Sequence, residues 1–186
     1  NSLNKNTPTC AFTDIMKHTL IIICTALAAA FACAPAAAQT SRGEKSFGPR
    51  VGYVSRNSTA LAGLAFQYSF SRHVRIAPEI DLIFRNRDMD GFGISFNTHF
   101  PISIGSKGRA AFYPVAGINF TSWGLHGVIP DDAKDVTSHT NCIGLNAGAG
   151  IEYRVKQSLK LSLEARYTLM RHYPTAQVAA GIAFVF

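Results

Sequence analysis

Charged side chains at alternate positions are the residues of this chain whose types and spacing could do chemistry. Three segments carry acidic and basic residues two or four positions apart, a spacing that puts them on one side of a β-strand. The predicted set consists of Arg75, Glu79, Asp81, Arg85, Glu152, Arg154, Glu164 and Arg166. Crowded charges are tolerated inside a protein only when paired, and arginine offers carboxylates a planar fork of donors. We therefore predict a structural charge cluster, on a polar face that also carries Arg50.

Catalytic residues at recognisable spacing are the second possibility. His99 shares a predicted face with Ser95 and Ser103, as in a barrel lipase or protease, but isolated His and Ser residues inside a barrel more often fill space and form hydrogen bonds. The sequence contains no nucleophile elbow, paired-cysteine metal motif or phosphate-binding glycine loop. We predict that the chain is not an enzyme, has no catalytic residues and binds no cofactor.

A metal site is the third possibility. Asp131, Asp132, Asp135 and His139 lie in a polar stretch at 124–140 and could bind a divalent ion. An acidic outer loop is more often simply solvated, so we predict no metal ligands. Cys142, at the edge of the loop, is predicted to be a small buried residue.

Alternating apolar and polar residues define the elements that must position these groups. The alternation appears in eight segments, at about 47–55, 60–69, 74–85, 92–104, 110–123, 143–155, 159–169 and 177–186. The fifth can be read in either register. Strands of this length match the ~9 to 11 residues that a tilted strand needs to cross a bilayer. We predict an all-β, eight-stranded antiparallel up-and-down transmembrane barrel with both termini on the periplasmic side.

The composition of the two faces distinguishes a membrane barrel from a soluble lipocalin-like barrel. The polar face is mostly small residues with charges of both signs, as a narrow closed lumen requires. Aromatic residues of the apolar face fall near strand ends and predict membrane-interface girdles. They are Tyr53, Tyr68, Phe70, Phe84, Phe92, Phe100, Phe112, Trp123, Tyr153, Tyr167 and Phe186.

The first part of the chain has the features of a secretory signal peptide. A short basic region follows Met16, an apolar run extends over 20–34, and Ala36 and Ala38 form a small-residue cleavage site before Gln39. We predict an upstream misread or non-native segment at 1–15, a signal peptide at 16–38, a short periplasmic segment at 39–46 and the barrel at 47–186. The alternatives are a transmembrane anchor and a lipoprotein.

Charge and cysteine usage restrict the partners. The formal net charge is +7, but basic residues are scattered rather than clustered, so nucleic acid is not expected. Attraction to phosphates of outer-membrane lipid and lipopolysaccharide fits better. Only Cys142 follows the predicted cleavage site, so no intramolecular disulfide is expected.

Several motifs resemble a known family. The closing QVAAGIAFVF is similar to the C-terminal strand of bacterial outer-membrane barrels, with Gly181, Phe184 and Phe186 at the places of the assembly signal and Ala179 replacing its polar residue. Together with FGPRVGY, GLNAGAGIEYRV and LSLEARYTL, it resembles the small outer-membrane β-barrel family of Gram-negative bacteria, called porin-family or PorT-like. The resemblance implies an integral outer-membrane barrel and the barrel assembly machinery as a partner, and it names no reaction.

These observations favour a barrel with a side-chain-filled lumen and a structural or interaction role at the cell surface, presenting the 124–140 loop to an unidentified protein partner. The alternatives are a narrow small-solute channel, a barrel enzyme, or a secreted lipocalin-like barrel that binds an apolar ligand.

Overall fold

The computed structural model describes residues 41–86, 88–104, 108–129, 134–170 and 174–186. These residues form nine β-strands: β1 (Lys45–Val54), β2 (Thr59–Ser69), β3 (Arg75–Asn86), β4 (Met89–His99), β5 (Ile102–Ile104), β6 (Ala110–Ile129), β7 (Lys134–Lys156), β8 (Leu159–Met170) and β9 (Thr175–Val185). In the described part of the chain, no helix is long and apolar enough to cross a membrane.

The eight long strands close into a ring. Each pairs antiparallel with its neighbour in sequence, β4 pairs with β6, and β1 pairs with β9 to complete the circle. The short β5 pairs with β6. The predicted closed eight-stranded antiparallel barrel is confirmed.

The two faces of the barrel wall follow the alternation of the sequence. Apolar side chains such as Ile143, Leu145 and Phe96 point outward and are 76%, 61% and 59% exposed. Their polar neighbours Arg75, Asn97 and others point into the lumen, where they are almost completely buried. The lipocalin-like alternative is therefore wrong, because its apolar face would point inward.

The 124–140 stretch is mainly strand rather than the predicted loop. β6 and β7 pair continuously out to Ile129 opposite Lys134, leaving only 130–133 outside the ladder. β4 stops opposite Leu125, and the β8 ladder stops opposite Gly144. The β6–β7 hairpin thus extends beyond the rest of the ring. We call this end of the barrel the hairpin end, and the end with Lys45 and Phe186 the terminus end.

A proline divides the fourth predicted strand. The sequence predicted one strand over 92–104, but β4 ends at His99 and β5 starts at Ile102. Pro101 cannot donate a ladder hydrogen bond, and the amide of Phe100 bonds to the carbonyl of Pro114 at 3.1 Å.

The structure also settles the register of β6. Tyr113, Asn119, Thr121 and Trp123 point into the lumen, and Phe120 points outward. The prediction that Trp123 belongs to an interface girdle is wrong, because it is fully buried and packs inside the ring.

Candidate functional site

The lumen is filled by side chains, and its centre is a network of ion pairs. Arg166 contacts Glu79 closely and donates to Asp81 at 2.8 Å and to Gln177 at 2.9 Å. Arg50 also contacts Glu79 closely, and its Nε lies 3.4 Å from Asp81. These side chains come from β1, β3, β8 and β9, so the network ties opposite walls of the barrel together.

Glu164 is the least tightly held carboxylate of this centre. Its Oε1 lies 3.6 Å from Arg166 and 4.0 Å from Arg50, and its Oε2 lies 3.6 Å from Nε2 of His99. Two guanidinium groups thus face three buried carboxylates in the centre of the lumen.

A second group forms around Arg75, which is fully buried. It donates to Glu152 at 2.7 Å and to Nδ1 of His99 at 3.2 Å, and its guanidinium lies 5.1 Å from the centre of the Tyr113 ring. The His99 ring stacks on Tyr113 at 4.7 Å. Gly150 makes this packing possible, because a Cβ there would collide with the Tyr113 ring.

Glu44 closes the terminus end of the lumen. It precedes β1 and accepts hydrogen bonds from Arg154 at 2.6 Å and Lys160 at 2.9 Å. Partial burial by itself would raise the pKa of Glu44, but the positive charges of Lys160 and Arg154 and their hydrogen bonds outweigh it and hold the pKa below its usual value.

Amide and hydroxyl groups connect the ion pairs to the wall. Asn97 donates to Glu79 at 3.1 Å, Asn146 donates to Asn97 at 2.8 Å, and Thr168 donates to Asn146 at 2.8 Å. This chain of donors pairs buried amide and hydroxyl groups with one another and with a carboxylate, as a low-dielectric interior favours. A cavity of about 20 Å³ remains beside the small residues Gly48 and Gly181. It has room for about one ordered water.

Apolar side chains fill the lumen at the hairpin end. This apolar layer consists of Val54, Leu61, Ile83, Met89 and Trp123. Gly91 lies opposite Trp123, and a Cβ there would come within 3.0 Å of the indole ring. The glycine therefore gives the ring its space.

The turns at the hairpin end are fastened across strands. The Asn57 amide donates to the carbonyls of Phe84 and Met89 at 3.3 and 3.1 Å. The Asn86 amide donates to the carbonyl of Asn57 at 2.8 Å. These bonds hold the β1–β2 and β3–β4 turns over the apolar layer.

One lumen group has ligand atoms close enough together for a metal ion. Side-chain atoms of Glu79, His99 and Glu164 lie within 4.8 Å of one another. Arg75 is an obligate donor to Nδ1 of His99, so neutral His99 carries its proton on Nε2, the atom facing Glu164. A metal-bound histidine shows the opposite arrangement, with a free lone pair towards the ion and a donor on the other nitrogen. The group therefore suits a charge network rather than a metal.

The structure places most of the predicted charge cluster in the lumen. Arg75, Glu79, Asp81, Glu152, Glu164 and Arg166 are buried there, and Arg154 lies half-buried at the terminus end.

Arg85 is the exception, and its assignment to the lumen is wrong. Its side chain is 56% exposed and pairs with Asp88 at 2.9 Å. The β3–β4 register shifts between Ile83 and Asn86, and this bulge turns Arg85 out at the rim, above the apolar layer.

Sequence reasoning left several lumen groups out of the cluster. Lys160 lies on the same strand face as Glu164, four positions away, so the alternation of side chains alone could have identified it as a lumen residue. Glu44 precedes the first strand, where alternation carries no information. His99 was predicted to fill space and form hydrogen bonds rather than to act as a catalyst, but its partner Arg75 was not foreseen. It makes no hydrogen bond to Ser95, whose hydroxyl instead accepts from Asn119 at 2.9 Å.

The remaining predicted residues lie elsewhere. Gly181 and Phe184 pair with β1, and Phe186 is 71% exposed beside Lys45. Cys142 is only half-buried and packs on the apolar layer from the side. His139 is exposed on β7, and Asp135 lies on the β7 backbone. Five predicted residues lie outside the described residues: Ala36, Ala38, Gln39, Asp131 and Asp132.

Comparisons with known proteins agree with this architecture. The family model of the outer membrane protein beta-barrel domain matches residues 24–186. No curated protein matches the chain by sequence.

Solved structures match the fold at low sequence identity. The N-terminal β-barrel domain of Pseudomonas aeruginosa OprF is 14% identical, with a TM-score of 0.63 over 79% of this chain and 100% of that one. Neisserial surface protein A is 15% identical, with a TM-score of 0.62 over 80% and 100%. Ail of Yersinia pestis is 14% identical, with a TM-score of 0.56 over 78% and 99%.

Proposed function

The chain belongs to the outer membrane protein beta-barrel domain family, and from that premise we propose that it is a closed barrel that presents its β6–β7 hairpin to a partner at the cell surface. That it is an integral protein of the bacterial outer membrane follows from the family and the fold. The main observation that supports a structural or interaction role rather than transport is the lumen filled by side chains.

The filled lumen supports a closed barrel in two ways. Near the terminus end and at the centre, ion pairs span the lumen between opposite walls. At the hairpin end, Trp123 and its apolar neighbours fill the cross-section. A solute would have to break buried charge pairs and then displace an indole ring, and each step costs several kcal/mol.

The hairpin supports the interaction role. β6 and β7 have 20 and 23 residues, whereas the other six long strands have 10 to 12. In outer-membrane barrels the periplasmic turns are short and the extracellular connections longer, so the hairpin end faces outward in this proposal. The structure of Ail with a heparin analogue provides a precedent for ligand binding by a barrel of this fold.

The chain is proposed to be non-enzymatic. Its fold matches outer-membrane barrels, and His99 is buried against Arg75 and Tyr113 rather than hydrogen-bonded to Ser95. Hydrolysis of lipid esters or of peptide bonds by the folded barrel, abolished by His99→Ala, would contradict this assignment.

A photo-crosslinking experiment on intact cells tests the interaction role. A photoreactive residue at Ser138, exposed on the β7 part of the hairpin, should give a specific crosslinked product, and one at His73, exposed near the terminus end, should not. The control deletes residues 126–137 and joins the strands by an Asn-Gly turn, which keeps the barrel and removes the hairpin. Failure of Ser138 to crosslink in a barrel shown to be folded by heat-modifiable gel mobility would sink the proposal.

Planar-bilayer recording tests the closed lumen separately. The wild-type barrel should show no steady single-channel conductance, and Trp123→Ala should remain closed because the ion pairs below it are intact. Regular conductance steps in the wild type would instead favour the small-solute channel.

The proposal extends to export and assembly. Mature protein from outer membranes should start at Gln39 when analysed by mass spectrometry. The assembly machinery should recognise the signal formed by Gly181, Phe184 and Phe186, so a charged residue at position 186 should lower outer-membrane levels more than one at Val185. Equal levels for both variants would contradict the role of Phe186.

The remaining partners are lipid phosphates, including those of lipopolysaccharide. Arg56 and Arg85 are exposed at the hairpin end, where anionic headgroups would meet them. Replacing both with Gln should weaken binding to vesicles that contain lipopolysaccharide, and unchanged binding would remove this partner from the proposal.

A further inference from the structure

A histidine pair and a carboxylate share the outer surface at the hairpin end. Asp90 on β4 lies opposite Gly124 on β6, and Gly124 lies opposite His139 on β7. These positions form one row across three strands and point to the same side of the sheet. The row lies next to the apolar band, since Phe92 follows Asp90 by two residues and is 39% exposed to the outside.

His126 completes the group, because it is two residues beyond Gly124 on the same face. Its Nε2 lies 3.1 Å from Oδ1 of Asp90. A Cβ at Gly124 would come within 3.5 Å of that nitrogen and within 3.3 Å of the Asp90 carboxyl carbon. The imidazole and the carboxylate therefore meet over the glycine, in space that any other residue would occupy.

His139 borders the same space from the other side. Directly opposite positions in a ladder have Cβ atoms about 4.5 to 5.5 Å apart, and diagonal neighbours remain within reach of long side chains. His139 is directly opposite Gly124 and diagonal to His126, which pairs with Thr137. The His139 side chain is exposed, so it can change rotamer without disturbing the core.

We propose that Asp90, His126 and His139 form a surface site for a divalent transition-metal ion such as Zn²⁺ or Cu²⁺. Two imidazoles and one carboxylate are a ligand set that these ions prefer, whereas Ca²⁺ and Mg²⁺ require more oxygen ligands. The side chains of His126 and Asp90 are 25% and 44% exposed, so the site is open to solvent. Water completes the coordination.

This site differs from the lumen group of Glu79, His99 and Glu164 in the surroundings of its ligands. In the lumen, arginine side chains already occupy the carboxylates and one histidine nitrogen. At the surface, Nε2 of His126 lies 3.1 Å from Oδ1 of Asp90, and both side chains are open to solvent. Binding the ion requires a rotation of His139 over the side-chain-free Gly124.

Metal titration of the folded barrel in nanodiscs tests the site. The protein should be purified without a histidine tag, and Zn²⁺ binding measured by calorimetry, with Cu²⁺ as a spectroscopic probe. We expect one ion per chain and nitrogen hyperfine splitting from two imidazoles in the Cu²⁺ electron paramagnetic resonance spectrum. His126→Ala and His139→Ala should each weaken binding more than tenfold, and Gly124→Val should do the same by filling the shared space.

Matched controls make the outcome decisive. His73→Ala removes an exposed histidine near the opposite end and should leave the affinity unchanged. Heat-modifiable gel mobility shows that each variant is folded. Undiminished binding in folded His139→Ala, or a spectrum with a single nitrogen ligand, would overturn the three-residue site.

Discussion

Near the terminus end and at its centre the lumen is held by charges of both signs, whereas at the hairpin end five apolar side chains fill the same ring of strands. The charged part depends on pairing: removing one group leaves its partner desolvated. The apolar part depends on volume: removing a side chain leaves a cavity. The ring of backbone hydrogen bonds is common to both, so their differences in stability must come from the side chains inside.

Arg166→Ala should have the largest effect in the charged part. It leaves Glu79 and Asp81 short of a buried cation that touches both, and loss of one member of a buried pair costs about 3 to 5 kcal/mol. Urea-induced unfolding in lipid vesicles measures the difference. Arg85→Ala is the matched control, because the exposed pair with Asp88 contributes about 0 to 1 kcal/mol. Equal small losses would mean that the lumen charges are hydrated.

Trp123→Ala should have a comparable effect in the apolar part. The indole is fully buried among Val54, Leu61, Ile83 and Met89, and truncation of a buried large aromatic costs about 3 to 5 kcal/mol. Phe120→Ala should cost less, because Phe120 is 41% exposed on the outer wall. A larger loss from Phe120→Ala would reverse the positions assigned to the two rings.

The same residue allows a spectroscopic test of which side it faces. Trp123 is the single tryptophan of the chain. Inside the lumen, its fluorescence should be hardly quenched by brominated lipids. Strong quenching would place the indole in the lipid-facing girdle that the sequence first indicated.

The two parts also differ in how far the sequence could predict them. Alternation correctly places Glu79, Asp81, Glu164 and Arg166 on one face, because side-chain direction has a period of two on any strand. It fails for Arg85, where a bulge interrupts the period.

Trp123 was missed for a different reason. Its position at a strand end resembled a girdle aromatic, and the register of its strand was open. The sequence did contain an indication that Trp123 faces the lumen: the polar Asn119 and Thr121 on the same face of its strand, and Gly91 opposite the ring. The contacts between opposite walls could not be read from any single strand, because they depend on how the ring closes.

Gly150→Ala should destabilise the charged part of the lumen by a smaller amount. The added methyl would collide with Tyr113, which stacks on His99 in the charged part. Overpacking of this kind costs about 1 to 3 kcal/mol. Gly93→Ala is the matched control, because its nearest neighbour would be the Thr121 hydroxyl at an ordinary 3.5 Å. Equal losses of stability in the two variants would show that Tyr113 can move aside.

Glu44→Gln should have the smallest effect on stability, and that effect should depend on pH. The salt bridges to Arg154 and Lys160 favour ionised Glu44 in the folded barrel, so its pKa is lower folded than unfolded. Such a group stabilises the fold above its unfolded pKa, near 4.3, and the contribution is lost as the pH falls through the folded pKa. At neutral pH, the free energy of unfolding of the wild type should therefore exceed that of Glu44→Gln by about 1 kcal/mol. The gap should close on acidification below about pH 4.

The matched control for Glu44 is Asp88→Asn at the rim. Asp88 has a positive φ of 58°, a conformation that asparagine tolerates, and its pair with Arg85 is exposed on both sides. This variant should match the wild type at every pH in the same urea titrations. If the gap between wild type and Glu44→Gln stayed constant down to pH 3, the Glu44 side chain would be held by its shape rather than its charge. The terminus end would then depend on packing, as the hairpin end does.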